Sequence, residues 1–392
     1  MGLALTASLI AFSSGCISKF EPGTRSNLLL PDDEQIETVH RLEDSSGSSV
    51  MTMTSLSTTF TIRRLGSVEF NGANLPILSF RDGGYIATQL GDVPSAAQLC
   101  AVTNQPASGM SVSVNKIGNS GDPTLVSRSE EGVLIGRNGN QEGFLVERPN
   151  QDGSRSIGVA SWDNGSIDWI IDDGRVNTFG WLGPNGRVVY STLKMEETRF
   201  TLAVVEPDGT HWKIPEPLPY SWVFPILGGE DESLFAVRLG DGYADMVHGP
   251  LDDPDSFRKE LRSHRMSNRA DLLRTSQMMS TSTSGTGIGG RVIPWYSYEL
   301  GRMVAWDVDE LEVNLLPEDS ISAYPIDQGQ NWLVTTPNGL DRITLFVSER
   351  TGDRLLDFPW ITRDMSESKV LIIEPVEREV GIRMIEFQTG ND

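Results

Sequence analysis

The chain has 392 residues, 38% hydrophobic and 22% charged, a balance that excludes a disordered polymer and leaves material for a large core. Its formal net charge is −22, from 54 acidic and 32 basic residues, so its surface repels nucleic-acid phosphates and general nucleic-acid binding is excluded. Two cysteines, Cys16 and Cys100, allow no disulfide framework and no CxxC pair for metal or redox work.

The first element in chain order is an apolar run, Leu3 to Phe12 (LALTASLIAF), followed by Ser13, Ser14, Gly15 and Cys16. It is too short for a bilayer span, which needs about 20 residues, and reads as the apolar region of a signal peptide over 1–15. The Gly15–Cys16 step resembles the bacterial lipoprotein signal, in which a small residue precedes a Cys that is lipidated and becomes the new N-terminus. Ser13 stands where Leu is usual in that family, and no Lys or Arg precedes Lys19. The resemblance implies lipidation of Cys16, a membrane anchor, and a periplasmic or outer-membrane location. A plain secretory signal, or a buried first strand with a chance Cys, is the alternative.

Residues 16–50 read as a tether, with Glu21-Pro22-Gly23 near its start and Ser45-Ser46-Gly47-Ser48-Ser49 at its end. Within it a short helix is expected. Pro31 and Asp32 open it, Asp33 and Glu34 suit its N-terminal dipole, and Ile36, Val39 and Leu42 share a face.

From Met51 onward strand signals dominate, beginning with the alternation Met51-Thr52-Met53-Thr54. One shape recurs: a turn, an apolar strand, another turn. Its instances begin at Gly84, Gly132, Arg187, Ser233, Arg291, Asn331 and Lys369. Their first apolar positions recur at about 38 to 58 residues, near the propeller blade period of about 40 to 50. Second runs pair with several of them as hairpins: Phe200 to Val205, Met303 to Trp306, and Ile343 to Val347.

The pattern predicts an all-β fold over 51–392, a β-propeller of seven blades. Six or eight blades fit the same spacing, and a pair of β-sandwiches is the alternative. Met51 to Leu65 is expected to complete the sheet of the last blade and close the ring. Trp181 to Tyr190 (WLGPNGRVVY) resembles the WD40-like repeat of TolB-type proteins. Ile343 to Trp360 (ITLFVSERTGDRLLDFPW) resembles a quinoprotein repeat. Each likeness covers one blade and implies architecture alone.

Between the fourth and fifth runs, 254–290 reads as an insertion on one face of the ring, helical first, then a Ser/Thr/Gly loop. Gly285 to Gly290 matches GxGxxG, but strand rather than helix follows it, so a flexible loop is the better reading.

No GxSxG elbow, HExxH or P-loop occurs, and the four histidines are scattered, so no metal or cofactor is expected. The quinoprotein likeness implies no quinone, because the adjacent Cys pair of those dehydrogenases is absent. Asp163-Asn164-Gly165, Asp172-Asp173-Gly174, and Asp307 with Asp309 and Glu310 carry oxygen ligands for Ca²⁺. They read as turns, where Asp and Asn cap local backbone. The nine tryptophans are expected to pack between blades.

Arg258, Arg262, Arg265 and Arg269 are spaced to form one stripe if helical. Such a stripe would dock an acidic partner or anionic headgroups. The expected function is a non-catalytic binding or scaffolding propeller, anchored in the cell envelope with an envelope protein as partner. The alternative is an exported carbohydrate-active hydrolase or lyase, with paired carboxylates at the propeller funnel.

Overall fold

The structure, a computed structural model, describes backbone within residues 38–389, apart from 44–48, 56–57, 70–75, 80, 92–108, 119–122, 215–220, 229–232, 241–243, 254, 258–261, 268–291 and the connections beyond 297. Side chains are described within 65–257 and at 381–382.

Three strands open the described chain: β1 (Thr38–Glu43), β2 (Ser49–Ser55) and β3 (Thr58–Glu69). Four-stranded meanders follow. The first is β4 (Ile77–Ser79), β5 (Tyr85–Leu90), β6 (Ser111–Lys116) and β7 (Thr124–Arg128). The second is β8 (Leu134–Gly139), β9 (Gly143–Pro149), β10 (Arg155–Ser161) and β11 (Ile167–Ile171). The third is β12 (Val176–Leu182), β13 (Val188–Leu193), β14 (Thr201–Val205) and β15 (His211–Lys213). These two units touch through one parallel bridge, Arg155 opposite Val176. The fourth is β16 (Ser221–Gly228), β17 (Ser233–Leu239), β18 (Ala244–Gly249) and β19 (Arg262–Ser267).

The fifth unit is three-stranded: β20 (Val292–Ser297), β21 (Arg302–Asp307) and β22 (Val313–Leu315). The sixth is β23 (Ser322–Ile326), β24 (Asn331–Pro337), β25 (Ile343–Ser348) and β26 (Arg354–Phe358). The last sheet is built from both ends of the chain: β27 (Ile361–Ser366), β28 (Lys369–Val376) and β29 (Glu379–Thr389), then β3, β2 and β1.

The first strands of the units meet one another. β4 contacts β8, β8 contacts β12, β12 contacts β16, β20 contacts β23, and β27 returns to β4. Successive meanders with touching first strands, closed by a sheet that joins the two ends of the chain, make a β-propeller. The closure follows the expected route: β3 pairs antiparallel with β29 from Thr58 opposite Thr389 to Glu69 opposite Glu379. This pairing protects the edges at which the ring would otherwise open.

Burial falls from the axis outward. Every residue of β12 and β13 is buried, whereas the fourth strands β7, β11 and β15 are half-buried or exposed along most of their length. A strand covered on both faces reads as a continuous apolar run, because neither face meets water. Each of the seven runs expected from the sequence lies in a different unit. Those at Gly132 and Arg291 fall on first strands, and the others on second strands.

Side-chain amides stand in for backbone pairing between units. The Asn138 amide of β8 donates to the Leu182 carbonyl at 2.8 Å, and its Oδ1 accepts from the Leu182 N–H at 2.9 Å. Gln89 does the same from β5: its Nε2 donates to the Val133 carbonyl at 3.1 Å, and its Oε1 accepts from the Ile135 N–H at 2.7 Å. These amides satisfy buried backbone groups that no strand ladder reaches.

Three sequence expectations are corrected. The helix expected from Pro31 to Leu42 is replaced, over its described part, by β1, which contains Val39 and Leu42. The alternating strand β2 offers β1 a pairing template, and tertiary pairing overrides weak local helix signals. The insertion does not begin at 254, because β19 pairs with β18 as the outer strand of the fourth unit. The helical arginine stripe fails for the same reason. Arg262 and Arg265 lie on a strand, whose period of two does not place positions three apart on one face.

Candidate functional site

The inner strands carry a distortion repeated in three consecutive units. In β12 the register shifts between Thr178 and Trp181, and Phe179 adopts φ 56°. In β16 it shifts between Val223 and Ile226, and Phe224 adopts φ 52°. In β8 it shifts between Ile135 and Gly139. Such bulges free backbone carbonyls from the ladder and re-aim side chains.

Arg137, in the β8 bulge, reaches the other two. Its Nη1 donates to the Phe179 carbonyl at 3.3 Å and to the Pro225 carbonyl at 3.0 Å. Its guanidinium carbon lies 5.5 Å from the ring centroids of both Trp181 and Phe224. The Phe179 and Phe224 rings pack at 4.5 Å. One side chain thus ties three units together near the axis. Burial pulls the Arg137 pKa down to about 10, and the Glu147 charge opposes that shift, so the group stays cationic at neutral pH.

Glu147, on β9, is the acid of this cluster. Burial raises its pKa above the ordinary value of 4.5, against the charge of Arg155, a hydrogen bond from Thr178 and the charge of Arg137. The Thr178 hydroxyl lies 3.4 Å from Oε2, and Arg155 Nη1 lies 3.4 Å from the same oxygen. The partners that set the ionisation of Glu147 are two arginines and a threonine. Through these contacts Glu147 links strands β9, β10 and β12.

This cluster has a pH signature. The unfolded chain releases the Glu147 proton near 4.5, and the folded chain releases it at higher pH. Between those values the unfolded state binds fewer protons, so this group's contribution to stability falls as pH rises through the window. Glu147→Gln removes that component. The unfolding free energy of the variant, relative to the native chain, is expected to rise with pH above about 4.5. Denaturation across that range checks it, and a pH-independent difference overturns it.

Strand alternation sorts the connections onto two faces. One face holds the β8–β9, β10–β11, β12–β13 and β14–β15 turns, among others. Arg81 crosses it, donating to the Gln141 carbonyl at 3.3 Å and pairing with Asp163 at 3.0 Å. The opposite face holds the β9–β10, β11–β12 and β13–β14 connections. β5 ends and β6 begins on this face, as do β19 and β20, and these strand ends bound the two longest sequence separations between successive strands, 91–110 and 268–291. The described part of this face mixes charges. Arg148 stacks over Trp169 at 4.1 Å and pairs with Glu130 and Asp172 at 3.5 and 3.7 Å. Burial lowers the Lys213 pKa, with Arg175 and Lys194 adding to the shift and Asp173 and Glu197 opposing it. Burial, with the nearby Asp173 charge, pushes the Tyr190 hydroxyl up to about 12.

The acidic turns singled out in the sequence are occupied by their own neighbours. Asn164 Oδ1 accepts from the Ser166 N–H at 2.9 Å, and Asp172 Oδ1 accepts from the Ser156 hydroxyl at 2.6 Å. Asp173 Oδ1 accepts from the Asn177 amide at 2.8 Å. Among the described residues no cluster of His, Cys, Asp and Glu is arranged to hold a metal ion. Trp162, Trp181 and Trp222 are buried core residues, as expected of blade packing. His248 is buried against Phe235 with ring centroids 5.4 Å apart, and His211 is exposed on β15.

Arg262 stands opposite His248 in the register and Arg265 opposite Asp245, on the outer edge strand of the fourth unit. Cys16, Cys100, Arg258, Arg269, Asp309, Glu310 and the GxGxxG segment lie outside the described residues. Sequence reasoning missed Arg137 and Glu147. Their signal in the sequence was a charged residue interrupting each of two buried strand patterns, GVLIGRNG and GFLVERP.

No family profile matches the chain, and no curated protein matches it in sequence. Solved structures resemble it in fold. TolB from Acinetobacter baumannii is 11% identical, with a TM-score of 0.35, over 79% of this chain and 81% of that one. A streptogramin B lyase is 11% identical, with a TM-score of 0.45, over 83% of this chain and 97% of that one. The Dos1 propeller is 10% identical, with a TM-score of 0.43, over 91% and 96%. The propeller assignment rests on the touching first strands and the closing sheet of this chain.

Proposed function

We propose that this chain is a non-catalytic binding or scaffolding propeller of the bacterial cell envelope. Its recognition face is the one on which β5 ends and β6 begins, and β19 ends and β20 begins. The observation that carries the reading is that the strand ends bounding the two longest sequence separations lie on the same face. A rigid ring presents variable loops at fixed positions, and function resides in such loops. The use of Glu147, Arg155 and Arg137 as inter-strand ties favours a structural rather than a chemical role for the perturbed groups near the axis.

Export and anchoring rest on the Leu3–Cys16 sequence, with Cys16 as the lipidated residue. The partner is an envelope protein with an acidic contact surface. The basic side of that contact is proposed at the edge strand β19, where Arg262 and Arg265 stand on alternate faces, with Arg258 before Arg262 in sequence and Arg269 after Arg265.

The test is a crosslinked affinity capture of tagged full-length protein from its native envelope, read by mass spectrometry. Four chains are compared: native, one with 92–108 replaced by a short Gly/Ser turn, one with Arg262→Glu and Arg265→Glu, and Cys16→Ser. A near-stoichiometric partner is expected with the native chain, reduced at least about tenfold by the loop replacement and the double reversal. Cys16→Ser is expected to leave the membrane fraction. Recovery of the bait alone from the native chain overturns the scaffolding reading.

A further inference from the structure

The closing sheet is wider than a blade needs. β29 and β3 complete it, yet β2 and β1 extend it by two more strands, and β1 is the outer edge among the described strands. The register makes this extension two-sided. Val39, Met53, Phe60 and Phe387 form one cross-strand row, and Arg41, Met51, Ile62 and Ile385 form another on the same face. The rows of the opposite face include Thr38, Thr54, Thr59 and Gln388, then His40, Thr52, Thr61 and Glu386. On β1 itself Val39 continues the apolar face, whereas Arg41 and Glu43 put charges on that face and Leu42 falls on the other, in a row with Val50, Arg63 and Met384. The β1 edge contains no Pro, and its pairing with β2 runs without a bulge. An edge of this kind is a template for strand addition.

We propose that the neighbour is β1 of a second copy, joined antiparallel across a two-fold axis that passes through Leu42. The charge order around that residue carries the choice of occupant. Along the chain it runs His40, Arg41, Leu42, Glu43, Asp44. Read antiparallel against itself, that order sets Arg41 opposite Glu43 twice, with Leu42 opposite Leu42. His40 and Asp44 continue the complementarity in the sequence. An antiparallel two-fold pairing must keep each face on its own side, which allows only registers that place a residue opposite itself. The neighbouring registers put Arg41 on Arg41 or Glu43 on Glu43, and like charges directly opposite are destabilising. The Leu42 register alone, among these three, places an apolar residue on the axis and opposite charges on both sides. The pairing is independent of what the recognition face binds.

The experiment measures sedimentation of the full chain over a concentration series, with charge-reversal variants. The native chain is expected to dimerise. Arg41→Glu and Glu43→Arg, each alone, set like charges opposite twice and are expected to weaken the dimer roughly tenfold or more. The double variant Arg41→Glu with Glu43→Arg restores the complementarity and is expected to restore the dimer. Leu42→Cys is expected to form an intermolecular disulfide on mild oxidation, beyond that of the unsubstituted chain, because directly opposite strand residues lie within disulfide reach. A native chain that stays monomeric overturns the proposal. So does a dimer indifferent to either reversal, or one that the double variant fails to restore.

Discussion

Replacing Trp162 with Ala is expected to destabilise the fold by about 3–5 kcal/mol, the range for removing a large aromatic from a packed core. Trp162 is 0% exposed although it stands in the turn after β10. Its indole lies 4.6 Å from the Phe144 ring and 5.9 Å from the Tyr85 ring, so it joins the second unit to the first. Its Nε1–H donates to the Asn140 carbonyl at 2.8 Å. Ala leaves a cavity between units and strips that carbonyl of its donor. Trp162→Phe keeps most of the volume and loses the donor, and is expected to cost about 1–3 kcal/mol. Urea denaturation of both variants checks the order. An Ala variant as stable as the native chain removes Trp162 from the interface.

Arg137→Met is expected to cost about 3 kcal/mol, the scale for leaving two buried carbonyl acceptors without their donor. Met retains apolar packing against Trp181 and Phe224 but leaves the Phe179 and Pro225 carbonyls without their donor. It also removes a cation that opposes the burial penalty on Glu147. The Glu147 pKa is therefore expected to rise further in this variant, extending to higher pH the window over which stability falls. Arg137→Lys keeps the charge and loses the planar fork that serves two strands at once, so it restores only part of the loss. Denaturation at two pH values separates the effects. Full restoration by Lys shows that charge alone matters and that the two carbonyl contacts carry nothing.

The fold was legible where the ring covers a strand on both faces. β5, β13 and β17 have no exposed residues, and each carries an apolar run of three or four residues next to a turn: Tyr85 to Ala87, Val188 to Tyr190 and Leu234 to Val237. β2 and β3 were legible through alternation. β7 (TLVSR), β11 (IDWII) and β15 (HWK) were not, since an outer strand half in water carries a short mixed pattern that a loop also shows. β19 was misread because RSHRMS has no strand periodicity of its own. Its pairing with β18 comes from an edge that only the assembled unit presents.

The sequence alone determined an all-β repeat, its closure by an N-terminal strand, and the turns in which Asp173 and Asn164 cap their own backbone. These are local or periodic properties, set within a few residues by side-chain alternation and turn chemistry. The tertiary structure alone decided that Arg137 of one unit serves carbonyls of the next two, that Glu147 is held by Arg155 and Thr178, and that the strand ends bounding the longest sequence separations share a face. Each depends on strands brought together from distant parts of the chain. Ring closure sets those meetings, and no spacing along one strand encodes them.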